Sequence, residues 1–191
     1  NLKNERNFVP EKNGNSNALD LIRQIADMNN GVYQDQELQN VTETNFCIGA
    51  AGYPEKHSDA ANMVSDLKFL KRKVDAGAAF ITTQMFFDNQ KYIDYVAMCR
   101  AAGIMVPIIP GIKPITTKGQ LRALPKIFNM DIPEPLASEL EKAKDDTAAR
   151  QIGIEWCIQQ CKELKSLEVP ALHFYTMSFS SATKEVVSQI L

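Results

Sequence analysis

Residues 66–88 read DLKFLKRKVDAGAAFITTQMFFD, and their pattern decides the fold. Leu67, Leu70 and Val74 recur at spacings of three and four, and Met63 extends the series upstream. That is the single apolar stripe of a surface helix. Asp75-Ala76-Gly77-Ala78 ends the helix, with Gly77 suited to the left-handed position just beyond it. Ala79–Phe87 then follows as a nearly unbroken apolar run of strand length. Such strands belong to parallel sheets. Helix, glycine stop and buried strand together are one turn of an α/β winding.

The same unit recurs on both sides. Upstream, Ala18–Met28 has helical spacing and is stopped by Asn29-Asn30-Gly31. Residues 32–45 (VYQDQELQNVTETN) carry little apolar material and are expected to form a surface insertion. Phe46–Tyr53 (FCIGAAGY) reads as a strand, and His57-Ser58-Asp59 is expected to open the next helix with Ser58 or Asp59 as its cap. Downstream, Asp88 is placed to cap a helix over 90–102. Val106–Ile112 (VPIIPGI) reads as a strand despite prolines awkward for a central ladder. Helices are expected over 117–128, 134–144 and 148–164. A strand over 171–177 (ALHFYTM) and a helix over 182–191 complete the chain. Residues 1–17 are polar and Asn-rich, and read as loop. Four strands each lead into at least one helix, which implies a parallel sheet with right-handed crossovers. An open doubly wound sheet and about half of a (β/α)₈ barrel both fit, since a full barrel needs ~250 residues.

Composition narrows the function classes. The chain has 191 residues, 45% hydrophobic and 23% charged, with a net charge of −2. A core can form, and no basic excess points to nucleic acid as a partner. No apolar run approaches the ~18 residues of a membrane helix, and no secretory leader pattern is present. The four cysteines are scattered, apart from Cys157 and Cys161 on one helix face, which suits a reducing, cytoplasmic setting. With two histidines, a His-rich metal site is not expected, nor any metal site. No G-x-G-x-x-G follows a strand and no P-loop motif occurs. The chain begins at Asn1, so it is expected to be a fragment.

Function in parallel α/β folds gathers at the carboxyl ends of the strands. Here those ends carry Tyr53 and His57, Gln84, Lys113, and His173, Tyr175 and Thr176. His57 also has a plain reading as a helix-start residue. Gln84 is harder to dismiss, because a buried amide is costly without partners. Alternation places it with Thr82 and Phe86. His173 reads more readily as structural. Lys71-Arg72-Lys73 is either a solvated face or a contact for a diphosphate. Asp145, Asp146 and Glu141 read as surface.

Four blocks, AAGYPEKH (50–57), DLKFLKRKVDAGAAFITTQMFFD (66–88), IIPGIKPI (108–115) and HFYT (173–176), together resemble the methylenetetrahydrofolate reductase family in order and spacing. The resemblance covers roughly 50–180. It implies a (β/α)₈ barrel of which this chain supplies about the last four β/α units as a single domain. It also implies FAD as cofactor, NADH or NADPH as co-substrate, and reduction of 5,10-methylenetetrahydrofolate to 5-methyltetrahydrofolate in one-carbon metabolism. On the same ground Tyr53, His57, Ala60, Asp66, Arg72 and Lys73 match flavin-contacting positions, and Ala18 matches another more weakly. Gln84, Gln120 and Leu124 match folate-contacting positions. The family's acidic catalytic residue falls in an amino-terminal half absent here, so no catalytic residue is expected in this chain. Phe69 replaces a polar residue, Phe179 replaces an arginine, and the 32–45 insertion is longer than usual.

The expected function is therefore that of a flavoprotein oxidoreductase segment, inactive without its amino-terminal half. The rival is a non-catalytic half-barrel that serves only as a flavin- or pterin-binding or assembly module. A half-barrel has two open strand edges, so pairing with the missing half, or homo-oligomerisation, is expected.

Overall fold

Each expected helix and strand has a counterpart in the computed structural model, which describes residues 9–12 and 14–191. The loop expected over 1–17 therefore lies partly outside the described residues. In chain order the elements are α1 (Ala18–Asn29), β1 (Gly49–Gly52), α2 (Met63–Asp75), β2 (Phe80–Met85), α3 (Asn89–Ala101) and β3 (Ile108–Ile112). They continue with α4 (Gln120–Phe128), α5 (Glu134–Lys142), α6 (Asp146–Ser166), β4 (His173–Phe174) and α7 (Ser181–Ile190). The strands pair in parallel in the order β1-β2-β3-β4. A doubly wound sheet reverses its strand order part-way; this sheet does not.

Local chemistry explains where elements start. Asn17 caps α1 by accepting from the Leu19 and Asp20 amides, and Asp88 caps α3 by accepting from Gln90 N. The start of α2 differs from the sequence reading. The helix begins at Met63, and its cap is Asn62, which exchanges reciprocal bonds with Ser65. Ser58 and Asp59 do not cap it, because 57–60 is spent on a turn: Ala60 N donates to His57 O at 3.1 Å and Asp59 N to His57 Nδ1 at 3.1 Å. At its other end Gly77 has φ +119°, the left-handed conformation expected of it. β1 starts later than expected, because Asn29 takes both the N–H and the carbonyl of Phe46 (2.8 and 3.0 Å). Residues 32–45 form no helix or strand and are mostly exposed. The expected strand at 171–177 is ordered into the ladder only at His173–Phe174.

The sheet has two unlike faces. Ile81, Thr83 and Met85 are buried, whereas Phe80, Thr82 and Gln84 are half-buried. The buried face packs under the helices. Ile81, Ile108 and Ile112 join Leu67 and Leu70 of α2, Tyr95 and Cys99 of α3, Cys157 and Cys161 of α6 and Val186 of α7 in one core. A second core gathers Met85, Phe87, Leu124, Leu136 and Leu140, and a third gathers Ile22 of α1 with Ile48 and Ala50. The opposite face carries Gly49, Ala51, Phe80, Thr82, Gln84 and His173, all exposed or half-exposed. Among the described residues no helix is long and apolar enough to cross a membrane.

One irregularity sets the geometry of the sheet. Thr82 pairs with Ile109 but Met85 pairs with Gly111, so Thr83 and Gln84 stand opposite Pro110 alone. Pro110 has no N–H for the ladder, which answers the objection to a proline in a central strand. The end of β2 at Met85 corrects the expected grouping of Phe86 with Gln84. Phe86 is 0% exposed, lies in the helix-side core and stacks on Tyr92 at 5.5 Å. Gly111 N donates instead to Thr83 Oγ1 at 2.9 Å, and Tyr175 Oη donates to Thr83 O at 2.9 Å. A Cβ on Gly111 would stand 2.7 Å from Tyr175 Cε2 and closer still to Thr83 O.

Two substitutions test this arrangement by urea unfolding. Gly111→Ala is expected to cost about 1–3 kcal/mol through overpacking against backbone that cannot move aside. Thr83→Val, nearly isosteric, is expected to cost about 1–3 kcal/mol by leaving the buried Gly111 N–H without an acceptor. Thr83→Ser should recover most of that loss.

Candidate functional site

The carboxyl ends of β1 and β2 meet the end of α4 in a cleft lined by Tyr53, Glu55, Lys56, Gln84, Phe128 and Asn129, among others. Its first wall is the turn after β1. The Tyr53 amide lies 3.3 Å from Tyr95 Oη, and the Tyr53 ring meets His57 edge-on at 4.5 Å. Burial, reinforced by the negative charges of Asp66 and Asp59, raises the Tyr53 pKa and keeps its phenol protonated. Lys56 takes a left-handed φ of 76° and folds back, its ammonium donating to the carbonyls of His57 (2.9 Å) and Ala60 (2.7 Å). Asp66, from the first turn of α2, accepts from His57 N at 2.8 Å. The turn is thus pinned from both sides.

Lys71, Arg72 and Lys73 go three different ways. Lys71 pairs with Asp75 one turn on, and exposed Arg72 lies over the Phe69 ring at 5.2 Å. Lys73 is half-buried, on the α2 face that also carries Asp66. Burial lowers its pKa, and Asp66 opposes that shift.

The second wall is Gln84. Its Oε1 accepts from Met85 N at 3.0 Å, serving an amide in the bulge. Its Nε2 donates to no group among the described residues. The amide is thus half satisfied internally, with its donor side left over.

Tyr53, His57, Ala60 and Asp66 are therefore gathered at the turn after β1, with Gln84 beside Tyr53 in the cleft, whereas Lys73 lies in the last turn of α2. Other expected residues are placed elsewhere. Gln120 sits at the first position of α4, where its Oε1 accepts from Thr116 N at 2.7 Å. Leu124 is 4% exposed and packed into the second core, so its side chain is already covered by protein. Ala18 is exposed at the start of α1. His173 is exposed and meets the Tyr175 ring edge-on at 4.7 Å. Cys157 and Cys161 are buried free thiols, and among the described residues no group of three His, Cys, Asp or Glu side chains could hold a metal.

Sequence reasoning missed the clamp made by Lys56, whose left-handed backbone has no sequence mark in a lysine. It also missed Glu55, which reaches across to accept from Asp131 N at 2.8 Å. Burial raises the Glu55 pKa. Phe128 and Asn129 were missed as well; Asn129 at the left-handed end of α4 was the available signal.

With this geometry in view, the comparisons decide the family. The family described as Methylenetetrahydrofolate reductase matches residues 1–191. The chain belongs to this family. A Caenorhabditis elegans relative named probable methylenetetrahydrofolate reductase (NADPH) is 37% identical over 175 residues, 91% of this chain and 24% of its own length. Methylenetetrahydrofolate reductase 1 of Schizosaccharomyces pombe is 38% identical over 174 residues, covering 91% and 27%. Methylenetetrahydrofolate reductase (NADH) 1 of Zea mays is 37% identical over 186 residues, covering 92% and 29%. The chain thus spans less than a third of the length of these relatives. A solved Clostridium thermocellum protein, described as binding two copies of 5-methyl-5,6,7,8-tetrahydrofolic acid, is alike in fold. Its TM-score is 0.56 at 17% identity, over 75% of this chain and 52% of that one.

Lys113, at the end of β3, is 6% exposed and has no hydrogen bond or ion pair among the described residues. Burial alone lowers its pKa below 10.5. A lysine held below its unfolded pKa binds its proton less tightly in the folded state, so stability rises as pH climbs from the folded value towards 10.5. Lys113→Met is therefore expected to raise the urea midpoint of this chain at pH 7, and the gain over wild type should shrink as pH approaches 10.5. A gap that does not vary with pH would assign the effect to packing.

Proposed function

We propose that this chain is the carboxyl-terminal part of a (β/α)₈ barrel whose complete protein reduces 5,10-methylenetetrahydrofolate to 5-methyltetrahydrofolate with NADH or NADPH, using FAD. Family membership supports the reaction class. The observation that carries the site is the shared cleft of Tyr53 and Gln84, in which Gln84 keeps an uncommitted amide donor. The consecutive parallel strands support the barrel, the remaining strands being added at the open β1 and β4 edges by the rest of the protein. Association of two copies through those edges is part of the same proposal, as is a cytoplasmic setting.

The side chains suit a flavin dinucleotide. Tyr53 and His57 offer flat, partly apolar surfaces, Ala60 offers backbone, and Asp66 offers a carboxylate for ribityl or ribose hydroxyls. Lys73 offers a half-buried cation for the diphosphate, and Arg72 can join it by leaving the Phe69 ring. A bound flavin supplies the two-electron relay between nicotinamide and folate. The chain's own residues bind and orient. Gln84 would donate Nε2–H to an acceptor on the pterin or the nicotinamide carboxamide, without adding charge beside the redox centre. Lys56 and Asp66 hold the Tyr53–Ala60 turn against its strand end. Gln120, Leu124 and Ala18 keep their proposed contacts with folate and flavin, Leu124 through the surface of the core it fills. The proton donor to the folate is assigned to the remainder of the protein, and the isolated chain is assigned no turnover.

Two experiments on the complete protein test this. Replacing Arg72 and Lys73 together by Ala should weaken FAD retention by about 2–4 kcal/mol; unchanged affinity at low salt would return both to a solvated face. Gln84→Glu keeps the acceptor that serves Met85 N–H and removes the donor. It should retain FAD and fold but slow reoxidation of reduced flavin by methylenetetrahydrofolate at least tenfold, about 1.4 kcal/mol of barrier. A wild-type rate in stopped flow would reduce Gln84 to a structural amide of the bulge.

A further inference from the structure

On the helix side of the β2 exit lies a separate cavity of about 280 Å³, lined by Phe87, Asp88, Asn89, Trp156, Gln160 and Glu163, with Pro133 and Gln159 at its margin. Asn89 is 6% exposed and Gln160 4%. Asn89 spends both of its amide hydrogens and Gln160 one of its two. Asn89 Nδ2 donates to Gln160 O at 3.1 Å and to Glu163 Oε2 at 2.7 Å, and Gln160 Nε2 donates to Phe86 O at 3.0 Å. Turning either amide over would set its oxygen against a carbonyl or carboxylate oxygen, so both orientations are fixed. That leaves Asn89 Oδ1 and Gln160 Oε1 as buried acceptors without a partner. Such groups are rare in folded proteins, because each costs desolvation that nothing returns.

The rest of the lining has the same bias. Asp88 and Glu163 add two carboxylates, no lysine or arginine lines the cavity, and Trp156 spends its only donor on Phe87 O at 3.0 Å. The wall therefore offers two unpartnered acceptors, negative charge and an aromatic ring, against spare donors on the second N–H of Gln160 and the exposed Gln159 amide. Among the described residues no group of three His, Cys, Asp or Glu side chains clusters here or elsewhere. We propose that this cavity binds a compact organic cation bearing an ammonium, amidinium or guanidinium group. Its N–H groups would bond Asn89 Oδ1 and Gln160 Oε1, its charge would face Glu163 and Asp88, and its apolar part would lie on Trp156.

Trp156 is the only tryptophan of the 191-residue chain, so in that chain, the species to be titrated, its emission reports on this cavity alone. The experiment titrates the protein with benzamidinium and with benzamide, a neutral analogue of nearly the same shape, while following Trp156 fluorescence. Benzamidinium is expected to bind at least tenfold more tightly than benzamide. Glu163→Gln keeps an acceptor for Asn89 Nδ2 and hence the local fold, and should abolish that preference. Gln160→Met should weaken benzamidinium binding with little effect on benzamide. Equal responses to the two probes, or an amidinium response that survives Glu163→Gln, would overturn the proposal. No response to millimolar benzamidinium in the folded protein would also overturn it and leave the cavity to ordered water.

Discussion

The Gly111 N–H goes to the Thr83 side chain and not to the β2 backbone, and the arrangement around Gln84 is built on that one exchange. In a central parallel strand successive residues bond alternately to the two neighbours, so that every backbone N–H and C=O is used. Here β2 passes two residues, Thr83 and Gln84, opposite the proline. The ladder bonds lost in doing so are replaced by side chains. Thr83 Oγ1 receives the Gly111 amide, Gln84 Oε1 receives the Met85 amide, and Tyr175 reaches from beyond β4 to the Thr83 carbonyl. The bulge both ends regular pairing and selects which atoms of Gln84 remain uncommitted. Gly111 is required beneath the Tyr175 ring because a methyl group there has nowhere to go.

The turn after β1 is built differently. Its residues form no regular ladder, and its shape is held by charged side chains bonded to its own backbone: Asp66 to the His57 amide, Lys56 to two carbonyls. Bonds to charged groups are stronger than neutral ones, and they let a short loop hold a fixed form without a core of its own. The two walls of the cleft thus differ in rigidity. Gln84 stands on a strand packed against the core, whereas Tyr53 and His57 stand on a clamp sensitive to the charges of Lys56 and Asp66.

Much of this was legible in the sequence where it depends on pattern. The stripe Met63, Leu67, Leu70, Val74 and the apolar run through Ile81 gave the winding, and Gly77 and Asp88 marked boundaries by simple stereochemistry. The choice between an open sheet and a barrel segment was not legible, because strand order is a property of tertiary contacts; the consecutive order β1-β2-β3-β4 favours the latter. The cap of α2 was misplaced because Ser58 and Asp59 are good capping residues in isolation, and their competing use in a turn with His57 leaves no local trace. Phe86 was misassigned because alternation holds only within a strand, and β2 ends at Met85, one residue before it. The gathering of Tyr53, His57 and Gln84 followed from the rule that function sits at strand ends. Arg72 and Lys73, read as a pair, are divided by the helix, since adjacent residues point about 100° apart.

The exit of β2 treats its amides in two opposite ways, and that difference separates the chemistry of its two sides. On the sheet's open face Gln84 spends its oxygen on the backbone and keeps its nitrogen, so what remains is a neutral donor. On the helix side Asn89 and Gln160 bond through their nitrogens and keep their oxygens free, so two unpartnered acceptors stand beside carboxylates. A ligand rich in acceptors, such as a pterin or a carboxamide, is matched only by the first side, and a donor-rich cation only by the second. Both sides are anchored to the same short segment, since α6 holds the carbonyls of Phe86 and Phe87 through Gln160 and Trp156 two and three residues after Gln84. A group bound against Gln160 would touch a side chain that is bonded to this segment. The coupling would run through two hydrogen bonds and a strand end, which is a short enough physical path to be tested by whether occupancy of one side alters affinity at the other.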